Sequence, residues 1–269
     1  MPEMPEMETY RQNLIRWAQG RTVTGLDAPR PKRLNQPVEV VREAIIGCPV
    51  SRIDRRGKSL ALVLGPEASA PILYIHLMLG GRIRFASDDK EAAVSCYLSG
   101  EHAVHFHVGL GRVDLLNQAG LAERWAKLGV EPLSPAFKPG LMRRAFHGRG
   151  RPIKACLMDQ EVVCGIGNVY SDEILYRAQL YPGTPARLLQ DRDWDALDQA
   201  IPEVLSEAAA LGGVGDPTDP DDRLTGGFRQ HLQVHYRQGD PCGMIGTVVK
   251  EEIAGRTTYW CPAVQNPRA

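Results

Sequence analysis

The chain has 269 residues, with 32 lysines and arginines balanced by 32 aspartates and glutamates, so its formal net charge is zero. That length favours two domains over one, and the charge balance excludes a whole-chain signal for a polyanionic partner, so any such signal must come from local clusters. No run of about twenty apolar residues occurs and the start lacks a basic-then-apolar leader; six scattered cysteines are too sparse for a secreted disulfide scaffold, and the reading is a soluble protein of a reducing compartment.

Met7, Tyr10, Leu14 and Trp17 recur at helical spacing and predict an amphipathic helix over 7–20, with Glu6 and Glu8 suited to its positive end. From there to about residue 116 short alternating runs dominate, among them Leu60-Leu62-Leu64 and Val104-Phe106-Val108, broken by glycine and charged turns. This pattern predicts an antiparallel β-sandwich. His105 and His107 alternate with the apolar face of their strand and read as a solvated face rather than as metal ligands.

Residues 128–140 hold three prolines and two glycines and read as an interdomain connection. Beyond them the period turns helical, over 153–163, over 169–180, and over 194–211 with Pro202 expected to kink or restart the last helix. Residues 212–227 are rich in Gly, Asp and Pro and read as a mobile loop. The tail reads as a helix followed by a hairpin. The expected fold class is α+β: an N-terminal helix plus antiparallel β-sandwich domain over 1–128, a linker over 129–140, a helical domain over 141–230 and a hairpin over 231–269.

Several motifs carry chemistry. The start Met1-Pro2-Glu3-Met4-Pro5-Glu6 sets carboxylates around a proline just before a helix. As a free N-terminus Pro2 would present a secondary amine whose pKa of about 8 leaves an appreciable nucleophilic fraction at neutral pH. Arg52-Ile53-Asp54-Arg55-Arg56-Gly57-Lys58-Ser59 presents Lys58 at a turn. Leu157-Met158-Asp159-Gln160 and Gly165-Ile166-Gly167-Asn168-Val169-Tyr170-Ser171-Asp172-Glu173 form a tight reversal into a helix capped by Asn168, whose N-terminal amides can receive a phosphate. Asp159, Gln160 and Glu173 read as buried groups fixing that turn. A basic stretch, Arg143, Arg144, Arg149, Arg151 and Lys154, precedes it.

These segments, with Gly255-Arg256-Thr257-Thr258-Tyr259-Trp260-Cys261-Pro262 near the end, resemble the Fpg/Nei family of DNA glycosylases over nearly the full length. The resemblance implies a helix-two-turn-helix in the second domain and a bifunctional glycosylase and AP lyase of base excision repair. By that resemblance the initiator methionine is removed and Pro2 attacks the sugar to give an obligately cationic iminium, and such an enzyme would excise damaged, oxidised bases through this Schiff base and nick the strand by β- and δ-elimination. It further implies that Glu3 donates protons, Glu6 supports the amine, and Lys58, Asn168 and Arg256 grip DNA phosphates from both domains. The implied partner is damaged DNA with an everted base, bound by a monomeric, cytoplasmic, nucleoid-associated protein without a membrane partner or cofactor. An alternative from another class is a DNA-damage or abasic-site binding protein on the same scaffold; a third is a lyase acting mainly at abasic sites.

The chain departs from the family in two places. The family's terminal hairpin holds zinc with two Cys-x-x-Cys pairs; here Cys242 is followed three residues later by Ile245, and Cys261 by Val264. The expectation is a zincless finger in which Ile245 and Val264 pack together while Cys242 and Cys261 face one another as thiols. His231 and His235 are the other conceivable ligands. The second departure concerns the loops that fill the void left by the extruded nucleotide. His76-Leu77-Met78-Leu79-Gly80-Gly81 places Leu79, with Met78 beside it, as an apolar wedge, and His76 is a further DNA-binding candidate. His107-Val108-Gly109-Leu110-Gly111-Arg112 lacks the family's Asp and Arg-Phe, leaving Arg112 or Leu110 as substitutes. The acidic loop at 216–223, which covers the everted base in some relatives, does not match the family's sequence for oxidised guanine.

Overall fold

A computed structural model of the chain describes residues 1–66, 69–217, 222 and 225–268. It forms two compact units, the first made of Met1–Lys127 and Gly212–Gly226, the second of Leu128–Leu211 and Gly227–Ala269. Among the described residues no helix is long and apolar enough to cross a membrane.

The first unit opens with α1 (Met4–Ala18), which starts a turn earlier than the apolar spacing alone predicts. The reason is a capping box: the Glu3 side chain accepts from the backbone of Glu6, and the Glu6 side chain accepts from the backbone of Glu3. Pro5 stands in the first turn, where its missing N–H costs nothing. Then come β1 (Val23–Asp27), α2 (Val38–Ile45), β2 (Val50–Arg56), β3 (Ser59–Leu64), β4 (Ile72–His76), β5 (Arg82–Phe85), β6 (Val94–Leu98), β7 (His102–His107), β8 (Arg112–Leu116) and α3 (Gln118–Ala126). These strands pair antiparallel, giving one sheet of order β1-β6-β7-β5 and another of order β2-β3-β4-β8.

One core joins the inner faces of both sheets. Leu60, Leu62, Leu73 and Ile75 from the second sheet meet Val94, Cys96, Val104 and Phe106 from the first, with Met7, Tyr10 and Leu14 of α1 in the same cluster. Alternation along β3 therefore aims Leu60, Leu62 and Leu64 inward, as the spacing predicts. The intervening Ala61 and Val63 are buried too, because α3 covers that face with Leu121 and Trp125. His105 and His107 correct the expectation of a solvated face, since both are buried. His105 bonds Ser95 Oγ at 2.9 Å and the Ala86 carbonyl at 3.0 Å, and His107 bonds Asp89 at 2.8 Å. Burial tends to raise the Asp89 carboxyl, but His107, the Glu91 amide and Arg84 together hold the group below its ordinary range.

The second unit contains α4 (Leu141–Phe146), α5 (Ile153–Leu157), α6 (Asn168–Arg177) and α7 (Asp191–Ala210). The helix expected over 153–163 stops at Leu157 because Gln160 ties the reversal: its amide nitrogen donates to the Met158 and Ile166 carbonyls, and its oxygen accepts from Gly165 N. Gly165 turns there with φ +99. Pro202 lies inside α7, which runs on through it as one helix. The tail begins with a 3₁₀ turn (Gly227–His231) and continues into β9 (Pro241–Cys242), β10 (Gly246–Thr247), β11 (Val249–Ile253) and β12 (Arg256–Trp260). The two-residue turn between β11 and β12, Ala254 (φ 50) and Gly255 (φ 72), has the positive dihedrals that match strand twist in tight hairpins.

Candidate functional site

In the first unit the candidate chemistry gathers at the start of α1. Pro2 is half-buried, and the carboxylates of Glu3 and Glu6 are buried, 2% and 3% exposed. Glu6 Oε2 accepts the Glu3 N–H at 2.8 Å and its Oε1 accepts the Val214 N–H at 2.8 Å. Residues 212–214 therefore close over the carboxylate rather than moving freely, and Gly212 and Gly213 are buried. A side chain on Gly213 is impossible without displacement: a Cβ there would stand 2.2 Å from Glu6 Oε1. Within the expected mobile and acidic loop, residues 218–221, 223 and 224 lie outside the described residues. Tyr10, which sequence reasoning placed only in the core, carries a phenol driven well above its usual value by burial and by the Glu6 charge.

Lys58 follows Gly57 (φ 56) in the two-residue turn between β2 and β3. That turn is fixed to α1 by Arg55, whose Nε donates to Glu8 at 3.0 Å and whose Nη1 donates to the Gly57 carbonyl at 3.2 Å. Burial works against the Glu8 charge, but Arg11 and Arg55 together hold its carboxyl below the ordinary range. Ser59, beside Lys58, is held by Trp125 at 3.1 Å. Two sequence-predicted residues, His76 and Arg112, face each other in register across β4 and β8. His76 is held below its ordinary pKa by burial first, then by Lys58 and Arg124. Arg124, missed in the sequence, lies over the Tyr74 ring and shares the fully buried Asp114 with Arg112. Leu79 is 64% exposed on the loop after β4.

In the second unit Asn168 and Arg256 are brought together, though differently from expectation. Asn168 does not cap α6. It is the first helical residue, Gly167 holds the cap position without a side-chain bond, and Asn168 Nδ2 donates to the Thr257 carbonyl at 2.9 Å. Arg256, exposed, opens β12 one residue earlier. A second tie runs from α6 to the same strand: Asp172 Oδ2 accepts from Tyr259 N at 3.1 Å and pairs with His235 Nδ1 at 2.7 Å, while Oδ1 takes Lys154. Lys154 is thus a buried counter-ion, not part of a basic surface, and Arg151 is paired with Asp159 at 2.7 Å. Glu173 fixes the 233–235 backbone rather than the reversal, accepting from Gln233, Val234 and His235. Two adjacent acids, Asp172 and Glu173, set between Val169-Tyr170 and Ile174-Leu175 were the available signal for this hub.

The terminal hairpin corrects two expectations. Cys242 and Cys261 are joined as a disulfide, their Cα atoms 6.0 Å apart and within bridging range, rather than facing each other as thiols. Ile245 is 97% exposed and does not pack on Val264, which instead lies against the small cluster of Val234, Cys242, Val248, Tyr259 and Cys261. These residues do not fit a tetrahedral zinc, because two sulfurs are bonded to each other and the other two positions carry no donor. His235 is committed to Asp172, and His231 stacks on Phe228. Among the described residues no group of three or more His, Cys, Asp or Glu is placed to hold a metal ion.

Comparison with known proteins covers both units. The family model described as the formamidopyrimidine-DNA glycosylase N-terminal domain matches residues 1–111, and that described as the formamidopyrimidine-DNA glycosylase H2TH domain matches residues 128–218. The chain is 35% identical to the formamidopyrimidine-DNA glycosylase of Geobacillus kaustophilus, across 98% of this chain and 100% of that protein. It is likewise 35% identical to that of Chloroflexus aurantiacus, across 98% of each. Among solved structures, Lactococcus lactis Fpg in complex with abasic-site DNA superposes with a TM-score of 0.90 at 27% identity, covering 98% of this chain and 99% of that one. The Lactococcus lactis enzyme bound to DNA containing an oxidised pyrimidine gives 0.89 at 27% identity, over 98% and 100%.

Proposed function

Because the chain belongs to the formamidopyrimidine-DNA glycosylase family, we propose that Pro2, once freed of Met1, is the nucleophile of a DNA glycosylase of base excision repair that also nicks the strand. The protein binds damaged DNA and removes a base from it. The Pro2 nitrogen bonds to C1′ of the everted nucleotide as the C1′–N bond to the damaged base breaks, and Glu3 protonates the sugar ring oxygen as the ring opens. Loss of the amine proton leaves a cationic iminium, an electron sink that acidifies C2′; removal of that proton expels the 3′-phosphate, and a second elimination expels the 5′-phosphate.

The observation that carries this reading is the pair of buried carboxylates at the start of α1, Glu6 clamped between the N–H groups of Glu3 and Val214. That clamp fixes the residue next to Pro2 and sets two acids beside it. Lys58 and His76 in the first unit, and Asn168 and Arg256 in the second, contact backbone phosphates; Leu79 enters the vacated stack. The protein acts as a cytoplasmic, nucleoid-associated monomer. Borohydride trapping on abasic-site DNA tests the proposal and separates it from a protein that only binds damage: processed protein should yield a covalent adduct, and none should form if the reading is wrong.

A further inference from the structure

The second unit carries an open groove that none of the proposed DNA contacts lines. It has a volume of about 490 Å³, within the range of ligand-sized pockets, and runs between the segment 132–139 and α7. Leu133, Phe137, Pro139 and Pro202 line it, and Leu133 is 42% exposed. The wall opposite α7 is fixed along its length. Val130 N donates to the Val162 carbonyl at 2.9 Å where the segment begins, and Ser134 N and Phe137 N close successive turns within it. Gly140 N donates to Asp198 Oδ2 where it ends. A surface held in this way loses little freedom when something docks on it.

The polar side chains of the groove define what it accepts. They are Ser134, Asp198, Glu203 and Ser206, and among the described residues no Lys, Arg or His lines it. Both hydroxyls donate to carbonyls of their own segments, Ser134 to Glu131 at 2.9 Å and Ser206 to Glu203 at 3.0 Å. Glu203 is met by Arg177 at 3.3 Å and by Gln199 at 2.8 Å. Among the described residues Asp198 forms no ion pair, and its Oδ1 has no hydrogen-bond partner in the chain. Arg144, the nearby cation, gives its Nη1 to the Pro139 carbonyl. Burial lifts the Asp198 carboxyl above its ordinary range, and Asp195 adds to this against the pull of Gly140 and Arg144. Pro202 leaves a second acceptor at the same place: a proline inside a helix has no N–H for the carbonyl four residues back, and that carbonyl belongs to Asp198.

An apolar trough whose unmet groups are acceptors, one of them charged, repels a phosphate backbone and suits a cationic donor flanked by apolar surface. We propose that this groove docks an extended peptide segment of a partner protein, setting a lysine or arginine on Asp198 between apolar side chains that cover Leu133 and Phe137. The lining residues are separate from those proposed to meet DNA, so the inference goes beyond the glycosylase reading and does not rest on it.

Fluorescence anisotropy on the full chain tests it, using labelled eight-residue peptides with Arg or Lys centred among Leu and Pro, and matched peptides with Glu or norleucine at the centre. The cationic peptides should bind with a Kd below about 0.1 mM, and the matched ones at least about tenfold more weakly. Leu133→Ser and Asp198→Asn should each weaken cationic binding about tenfold; asparagine keeps an acceptor for Gly140, and both variants should retain wild-type Tm and borohydride trapping. No binding, equal binding of all the peptides, full binding by both variants, or displacement of the peptide by abasic-site DNA overturns the proposal. Self-association of the wild-type chain that Leu133→Ser abolishes would give the groove to a second copy and overturn it as well. Loss of trapping by wild type alone would defeat the glycosylase reading and leave the groove as argued.

Discussion

Glu6 Oε1 accepts the backbone N–H of Val214 at 2.8 Å across 208 residues of chain, while the other oxygen of the same carboxylate accepts that of Glu3. A single buried side chain thus fixes both the residue after the proposed nucleophile and the segment that closes over it. Glutamine keeps the shape but offers one acceptor and an NH₂ where two acceptors are needed. Glu6→Gln should cost about 1–3 kcal/mol, seen as a Tm lowered by roughly 3–10 °C, and should slow adduct formation. Gly213→Ala should do the same by displacing the carboxylate. An unchanged Tm and trapping rate in both variants would show that the clamp is dispensable.

Blocking the amine tests the chemistry more directly. An internal proline has no lone pair to offer, so retaining Met1 or adding an N-terminal tag should abolish borohydride trapping. DNA affinity, which comes from phosphate contacts elsewhere, should be within about threefold of wild type. Undiminished adduct from tagged protein would rule out Pro2 as nucleophile.

His76 gives a pH dependence whose sign can be worked out. In the free protein burial, then Lys58 and Arg124, hold the imidazole below its ordinary value, about 6.5, so it is neutral at neutral pH. A phosphate oxygen beside the ring favours the protonated form, so complex formation takes up a proton and affinity must rise as pH falls. The free protein's stability moves oppositely, because the unfolded chain protonates this ring first and gains on the folded state as pH drops below about 6.5. His76→Gln should flatten both trends; a variant whose Kd keeps the wild-type slope from about pH 7.5 to 6 would remove His76 from the interface.

Much of the fold was legible because its signals are periodic. The α1 stripe and the Leu60-Leu62-Leu64 alternation each follow from local rules. What escaped depends on tertiary partners. Lys154 reads as one more cation in a basic run until α6 places Asp172 against it. Asn168 reads as a cap until β12 offers the Thr257 carbonyl. His105 and His107 occupy the polar phase of a strand, but Ser95 and Asp89 satisfy them in place of water. The start of α1 was the reverse case: the chemistry proposed for it rests on Pro2, Glu3 and Glu6 as the sequence shows them, while the hold of Val214 on Glu6 was invisible from either end of the chain.

The disulfide supplies a further test. Zinc analysis of purified protein should find less than about 0.1 equivalent per chain, since the four-donor set is missing. Thiol titration of the unfolded, unreduced protein should count the four free cysteines, Cys48, Cys96, Cys156 and Cys164. Reduction, or Cys242→Ser, releases a crosslink spanning 19 residues and should lower stability by about 2–4 kcal/mol. One bound zinc per chain, or six titrating thiols, would contradict this account of the finger.

The hub in the second unit predicts that the two proposed phosphate grips, Asn168 and Arg256, behave as one. Asp172 receives Lys154, His235 and the Tyr259 N–H, all buried, while Asn168 on the same helix holds Thr257 next to Arg256. Removing the carboxylate charge strands Lys154 in the interior, and breaking one side of a buried pair typically costs about 3–5 kcal/mol. Asp172→Asn should therefore lower Tm, loosen the β12 register and weaken duplex binding together. Arg256→Ala alone should reduce the slope of log affinity against log salt by about one contact. Within the Asp172→Asn background the same substitution should cost much less, because the arginine is no longer held beside Asn168. A double-mutant cycle reads that coupling; additive losses would mean that Arg256 finds its phosphate without help from Asp172.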